Sequence, residues 1–278
     1  MFRQIDVIIP TNKKLHLLKN LIYQLNYQKG NFNINIIIIH QSSRLEIIPS
    51  FLNKNNIKIK RLFLQNLSNA KNEGLNLSSS DIVTFIDDDI ILNRNYLLEG
   101  WTQIKKKKID MLFFRINKLN SNIPLSVNMK EYDHKVSFSN SSGCLSSAMW
   151  VKKSKNKIIK FDKKFGLGAK FGSADETELI YRCLSLDKKI YYVADKLIFH
   201  PSEFVELKKQ KDIYKKFLSY GIGQGALFKK YYKKNGIYFY YLYLVSILKS
   251  IIGILINIPI LKKNNLVKYF AMLRGKIK

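Results

Sequence analysis

The run Ile82-Val83-Thr84-Phe85-Ile86 ends without transition in three consecutive carboxylates, Asp87, Asp88 and Asp89. β-Branched and aromatic residues in so short a run describe a buried strand, and in open α/β sheets ligands bind just beyond the carboxyl ends of such strands. Three adjacent like charges repel, and a cation held among them is one reason for them to stand together. Helix initiation is the other: Asp89 or Asn93 would cap a helix over 94–108, with the remaining acids solvated. The first reading makes the chain a metal-assisted enzyme; the second leaves an ordinary helix start.

The surrounding periodicity decides the fold class. Short apolar runs at Ile5–Ile9, Ile34–Ile39, Ile57–Leu64, Ile82–Ile86 and Met111–Ile116 alternate with helical patterns at Lys14–Tyr27, Leu67–Leu77 and Arg94–Lys108. That alternation belongs to an α/β sheet with crossover helices. The first helical pattern puts Leu15, Leu18, Leu21, Ile22 and Leu25 on one face, which is a packing face. Beyond residue 117 the pattern weakens to a polar loop (117–140), a strand over Leu145–Val151 and a glycine-bearing loop with Gly166, Gly168 and Gly172. A helix from Asp175 and strands at Ile190–Val193 and Leu197–His200 follow, and no internal repeat is visible. Residues 1–200 form the expected catalytic domain and 201–278 a helical appendage.

Composition narrows the partners. The 48 Lys and Arg against 20 Asp and Glu leave a net charge of +28, which calls for an anionic partner: phosphorylated substrate, acidic lipid or nucleic acid. Heavy use of Ile, Asn, Lys, Tyr and Phe is also what an A+T-rich coding sequence produces, so part of that charge is drift. Cys144 and Cys183 are far apart and fit neither a disulfide framework nor a zinc spacing. The first expected strand begins almost at once, leaving no room for a cleavable secretory signal, and the expectation is a cytoplasmic protein, peripheral on the inner face of the membrane.

The segment from Pro201 onward holds 16 Lys or Arg against three acids, Glu203, Glu206 and Asp212. Within it, residues 237–261 carry a single charge, Lys249. Winding them as a helix gathers Ser246, Lys249, Ser250, Gly253 and Asn257 within an arc of about 100°. A polar stripe and a mid-helix lysine oppose a lipid-surrounded span. Flanking lysines Lys229, Lys230, Lys233, Lys234, Lys262 and Lys263 favour a helix lying on an anionic membrane surface, and packing on the catalytic domain is the alternative.

A second acidic site is Ser173-Ala174-Asp175-Glu176-Thr177-Glu178. Ser173 and Glu176 have capping-box spacing, which explains Glu176 structurally. The preceding glycines, Gly168 and Gly172 among them, would let backbone approach a substrate, and a carboxylate there could take a proton from an attacking hydroxyl. Trp150 could stack on a bound substrate or pack the core, as could Trp101. The tail tyrosines Tyr238, Tyr240, Tyr241 and Tyr243 read as interfacial or packing residues.

In their order, these segments resemble the family 2 glycosyltransferases of the GT-A fold. Asp6-Val7-Ile8-Ile9-Pro10-Thr11 looks like the opening strand and turn of the nucleotide site. Asn69-Ala70-Lys71-Asn72-Glu73-Gly74 is similar to an Ala-Arg-Asn-x-Gly segment, and Phe85-Ile86-Asp87-Asp88-Asp89 to the Phe-Leu-Asp-x-Asp metal motif. Phe161-Asp162-Lys163-Lys164-Phe165-Gly166 resembles the acceptor loop, and Asp175-Glu176-Thr177-Glu178-Leu179 stands where Glu-Asp-x-Asp-Leu is expected.

The resemblance implies a Rossmann-like mixed sheet flanked by helices, with a C-terminal helical extension. It implies Mn²⁺ or Mg²⁺ bridged by Asp87 and Asp89 to the diphosphate of a UDP-sugar, with His200 as a further ligand or as a structural hydrogen bonder. Pro10, Thr11, Lys71, Asn72 and Asp88 would line the donor. Lys71 replaces the usual arginine, and Ile39-His40-Gln41-Ser42-Ser43 replaces an acidic pair, so His40, Gln41 and Ser43 would meet the base. Glu176 would be the general base with Asp175 in reserve, the family's Glu-Asp order being reversed here. The expected function is inverting, metal-dependent transfer of a sugar to a glycan or lipid-linked glycan acceptor in surface polysaccharide biosynthesis, without nucleic acid. The competing readings are a basic nucleic-acid-binding protein and a non-catalytic nucleotide-sugar-binding subunit of the same fold.

Overall fold

A computed structural model describes residues 3–44, 46–153, 159–201 and 210–278. Glu203 and Glu206, counted in the tail's charge, lie outside the described residues, as does the side chain of Lys234.

Among the described residues, nine strands form one mixed sheet: β1 (Arg3–Thr11), β2 (Phe32–Gln41), β3 (Ile57–Leu62), β4 (Ile82–Phe85), β5 (Ile91–Leu92), β6 (Met111–Lys118), β7 (His134–Lys135), β8 (Met149–Lys152) and β9 (Ile190–His200). Their order is β3-β2-β1-β4-β8-β6-β9-β5, with β7 on β9. The β3-β2-β1-β4 half is parallel, β8 runs antiparallel between β4 and β6, and β6 is again parallel to β9. Parallel strands need both faces covered, hence the near-continuous isoleucine of β1 and β2, of which Ile5, Val7, Ile8, Ile9 and Ile36–Ile39 are buried.

Four helices accompany the sheet: α1 (Lys19–Asn26), α2 (Leu67–Leu77), α3 (Tyr96–Lys107) and α4 (Asp175–Leu184). Asn66 caps α2 by accepting the backbone N–H of Asn69 at 2.8 Å, and that helix keeps its expected bounds. The pattern at 14–27 divides into a 3₁₀ turn (Leu15–Leu18) and α1, since Lys14 offers no side-chain cap. Ser146–Ala148 also form a 3₁₀ turn, so the strand expected from Leu145 begins at Met149. The two late strands are a single β9, with a register irregularity against β6 between Phe114 and Ile116.

The helix-start reading of the acids fails. Ile91–Leu92 pair with β9, so α3 starts only at Tyr96 with Asn95 at its N-cap. Asn93 closes a local turn instead, its Oδ1 accepting the N–H of Asn95 at 2.9 Å. Asp89 is left at a strand end with no helix to cap.

Two compact units emerge: Met1–Phe161 with Leu179–Ser202, and Asp162–Glu178 with Glu203–Lys278. The first holds the sheet and a core centred on Trp150, which is fully buried and leaves no room for a side chain at Gly100. The second holds the loop before α4, the first turn of α4, and three helices, α5 (Gln210–Asn235), α6 (Ile237–Asn257) and α7 (Lys263–Ile277). In that unit Gly221 and Gly225 of α5 meet the backbone of α7 at Met272 and Lys276, an approach that a β-carbon would block.

Asp6 ties the first unit together. Fully buried, it accepts N–H bonds from Ser79 (2.6 Å) and Ser80 (3.0 Å), the Ser80 hydroxyl (2.6 Å) and Asn35 Nδ2 (2.8 Å). Burial raises its pKa, but the bonds from Ser80 and Asn35 outweigh that and hold the carboxyl below the usual carboxylate range. A depressed folded-state pKa gives stability that is present above the unfolded value and lost as pH falls through the folded one. Asp6→Asn is therefore expected to cost about 2–3 kcal/mol at pH 7, with the gap to wild type narrowing in acid, as urea titrations at pH 7 and below 4 would read.

Candidate functional site

Beyond the end of β4 the three acids meet side chains brought by β1, the turn after it, and β9. Thr11, at the end of the adjacent β1, donates its hydroxyl to Asp88. Lys13, two residues on, bridges Asp88 Oδ1 at 2.7 Å and Asp89 Oδ2 at 2.9 Å. From the far side of the sheet the last residue of β9, His200, sets Nε2 at 3.3 Å from Asp89 Oδ1 and faces the Pro201 carbonyl with Nδ1 at 3.0 Å. The hydrogen bond with His200 is the main cause holding Asp89 well below the usual carboxylate range, with Lys13 adding to it against burial. Asp89 in turn raises the His200 imidazole. Burial pulls the Lys13 ammonium down, but its bonds to both acids outweigh that and leave it raised.

Asp87 behaves differently. Burial pushes its carboxyl up to about 6, Lys71 and His200 oppose the shift, and Asp88 and Asp89 reinforce it. Neighbouring carboxylates are thus driven apart in basicity by their surroundings, a pattern frequent at functional sites.

Lys71 is fully buried on α2; its Nζ donates to Ser146 Oγ at 2.6 Å and lies 4.9 Å from the centre of the Phe161 ring. It acts on Asp87 as a charge held from beneath. Asn72, expected at the donor, clamps the backbone of Phe161 instead, donating to its carbonyl at 2.9 Å and accepting its N–H at 2.7 Å. With both amide atoms so committed its role is structural. Trp150 is likewise removed from any acceptor by complete burial, which leaves core packing.

Pro10, Thr11, His40 and Gln41 are buried at the ends of β1 and β2, whereas Ser43 is exposed. Gln41 Oε1 accepts the N–H of Asn66 at 2.8 Å and so ties β2 to the start of α2. His40 Nε2 faces Glu46 at 3.5 Å, and burial lowers its pKa despite that carboxylate.

Among the described residues, no group of three Asp, Glu, His or Cys side chains is close enough to enclose a metal unaided. An open site needs less, because an ion such as Mg²⁺ is held by one or two carboxylates and completes its shell with substrate phosphates and water. Asp89 fits that role, with Asp87 and Asp88 alongside and the His200 imidazole within reach as a nitrogen donor.

The second acidic cluster belongs to the other unit. Ala174 has φ of +65°, α4 starts at Asp175, and Ser173 Oγ donates to the carbonyls of Ser219 (3.3 Å) and Tyr220 (3.4 Å) on α5. Ser173 thus lies one residue too early to cap α4, and the expected capping box is absent. Asp175 is buried and Glu176 half-buried. Gly168 and Gly172 both have positive φ, +76° and +66°, and a side chain at Gly172 would collide with Ser219. Glu178 is fully buried: Lys230 Nζ donates to its Oε1 and to Asp162 Oδ2, each at 2.7 Å, and the Tyr231 hydroxyl lies 3.3 Å away.

Sequence reasoning missed Lys13 and Ser146, and it set Lys230 among the membrane-facing lysines, whereas that ammonium is committed to Glu178 and Asp162. Lys13 left one signal, a cation just past the first strand; the other two are recognisable only from their partners, 75 and 52 residues distant.

The sheet order and the acids at the end of β4 define the GT-A glycosyltransferase class of fold. The chain belongs to glycosyl transferase family 2, whose model matches residues 6–173. Among solved structures it is similar to S. aureus TarS 1–349, at TM-score 0.56 and 19% identity over 80% of this chain and 65% of that one. TarS 1–349 in complex with UDP aligns over 99% of this chain and 90% of that one, at TM-score 0.56 and 16% identity. The mannosyltransferase PcManGT from Pyrobaculum calidifontis, in complex with GDP-Man and Mn²⁺, aligns over 100% and 88% at TM-score 0.59 and 8% identity. In the first of these alignments the chain thus spans less than two thirds of its neighbour's length. No curated protein sequence matches it.

Lys230→Met would leave Glu178 buried without its cation. It is expected to destabilise the chain by about 3–5 kcal/mol, whereas Lys230→Met combined with Glu178→Leu recovers much of the loss; thermal and urea unfolding would show both.

Proposed function

We propose that this chain is a divalent-metal-dependent, inverting glycosyltransferase. It moves a sugar from a UDP-type nucleotide donor to a hydroxyl of a glycan or lipid-linked glycan acceptor. The observation that carries this reading is the Asp89–His200 pair at the carboxyl end of β4, flanked by Asp87, Asp88, Thr11 and Lys13. Neighbouring folds bound to UDP and to GDP-Man with Mn²⁺ support a nucleotide-sugar donor.

Asp89 and His200 would hold Mn²⁺ or Mg²⁺, with Asp87 as the reserve ligand. When bound, the ion neutralises charge gathering on the leaving diphosphate. Lys13, 40% exposed on a flexible stem, can shift from the acids to a phosphate oxygen. Lys71 cannot, being sealed against Ser146, and so serves as a fixed counter-charge under Asp87. Glu176 takes the proton of the acceptor hydroxyl; the oxygen bonds to the anomeric carbon from the face opposite the diphosphate, whose bond breaks. Inversion follows from that single displacement. Asp175, 5% exposed, suits a supporting role better than contact with the acceptor.

Release of nucleoside diphosphate from a panel of nucleotide sugars tests the reading, with Mn²⁺ or chelator. Release is expected from one donor only, abolished by chelator and reduced about 100-fold or more by Asp89→Ala. Glu176→Gln is expected to slow transfer to acceptor by about 10²–10⁴ while leaving nucleotide binding intact. Steeply salt-dependent nucleic-acid binding that survives Asp89→Ala, with no release from any donor, would overturn it.

A further inference from the structure

Helix α6 is inside out. It is long and apolar enough to cross a membrane, yet only 17% of its most apolar stretch is buried. Apart from Phe239 near its start, what it buries is its polar and small stripe: Ser250 and Asn257 are buried, and Gly253 lies under the Tyr269 ring of α7. Asn257 Oδ1 accepts from Asn265 Nδ2 at 2.9 Å near one end of the pair. Near the other, Lys276 Nζ donates to the Ser246 carbonyl at 2.7 Å and to Ser250 Oγ at 2.9 Å. The opposite arc, roughly a third of the helix circumference at 100° per residue, exposes Tyr241, Leu244, Leu248, Ile252, Leu255 and Ile256. A helix packed on a water-soluble body shows the reverse arrangement.

We propose that this arc lies in the interface of an anionic bilayer, with α6 parallel to the membrane plane. Charge complementarity selects that occupant. Exposed Lys229 and Lys233 precede the helix, Lys262 and Lys263 follow it, and exposed Lys249 borders the apolar arc. Cations at both ends and along one edge of an apolar strip match headgroups around acyl chains. A second copy of this chain would bring the same lysines against themselves.

Tertiary packing selects the in-plane pose over a span. α7 runs antiparallel along α6 from Asn265 to Lys276, so a spanning α6 would carry Asn265, Lys268, Arg274 and Lys276 through the hydrocarbon with it. Lying flat, α6 alone meets lipid while α7 stays on the water side.

Sedimentation of the full chain with vesicles of phosphatidylcholine, with or without 30% phosphatidylglycerol, tests the proposal. Preferential binding to the anionic vesicles is expected, lowered tenfold or more by Leu248→Asp with Leu255→Asp and several-fold by Lys262→Glu with Lys263→Glu. Unchanged circular dichroism and nucleoside diphosphate release would show that both variants remain folded. A fluorophore on Leu244→Cys, Leu248→Cys or Leu255→Cys should report one shallow depth with brominated lipids. Absence of vesicle binding, binding indifferent to the aspartates, a dimer that the aspartates dissolve, or depths graded along the helix would overturn it.

Discussion

Three carboxylates at the end of one strand are tolerable only where cations meet them, and the first unit is organised around that requirement. Lys13 from the turn after β1, His200 from the end of β9 and Lys71 from beneath, on α2, each answer part of the acidic charge. The three cations are not equivalent. Lys71 is sealed, His200 is fixed by its strand, and Lys13 is half exposed on a long stem, so one part of the balance can change while the rest stays in place. The proposed exchange of a diphosphate at this site would draw on that combination of fixed and movable charge.

The sheet makes it possible. β9 pairs with β6 as far as Lys118 and His200, which carries the histidine to the level of the acids, and the short β5 fastens the segment after the acids to the same strand. Asp6 and Gln41 use buried hydrogen bonds to hold β1 and β2 against the start and end of α2. These contacts bury polar groups at a cost that is offset only when every partner is present, which keeps the strand ends at one geometry.

How much was legible in the chain follows from the range of each interaction. Strands β1, β2, β4 and β6 and helix α2 were readable because apolar periodicity is a local signal. The acids after β4, Glu176 and His200 stood out in the sequence by their types and order, which made them candidates and no more. Asn72 was assigned to the donor yet clamps Phe161, and Trp150, read as either an acceptor contact or a core residue, fills the core beside Gly100. Their side-chain types suit either role, and only the partner distinguishes them. The capping box at Ser173 failed likewise: the left-handed turn at Ala174 moved the helix start by one residue.

By itself the sequence determined the alternating α/β order, the place of the acidic strand end, the charge of the tail and the polar stripe within α6, since each depends on neighbours along the chain. Only the tertiary structure decided that His200 reaches Asp89, that Lys230 neutralises the buried Glu178, and that the polar stripe of α6 faces its own helical partners while its apolar side faces out. The physical reason is common to all three. A buried or paired polar group is defined by what replaces its water, and here that replacement comes from residues 26 to 111 positions away.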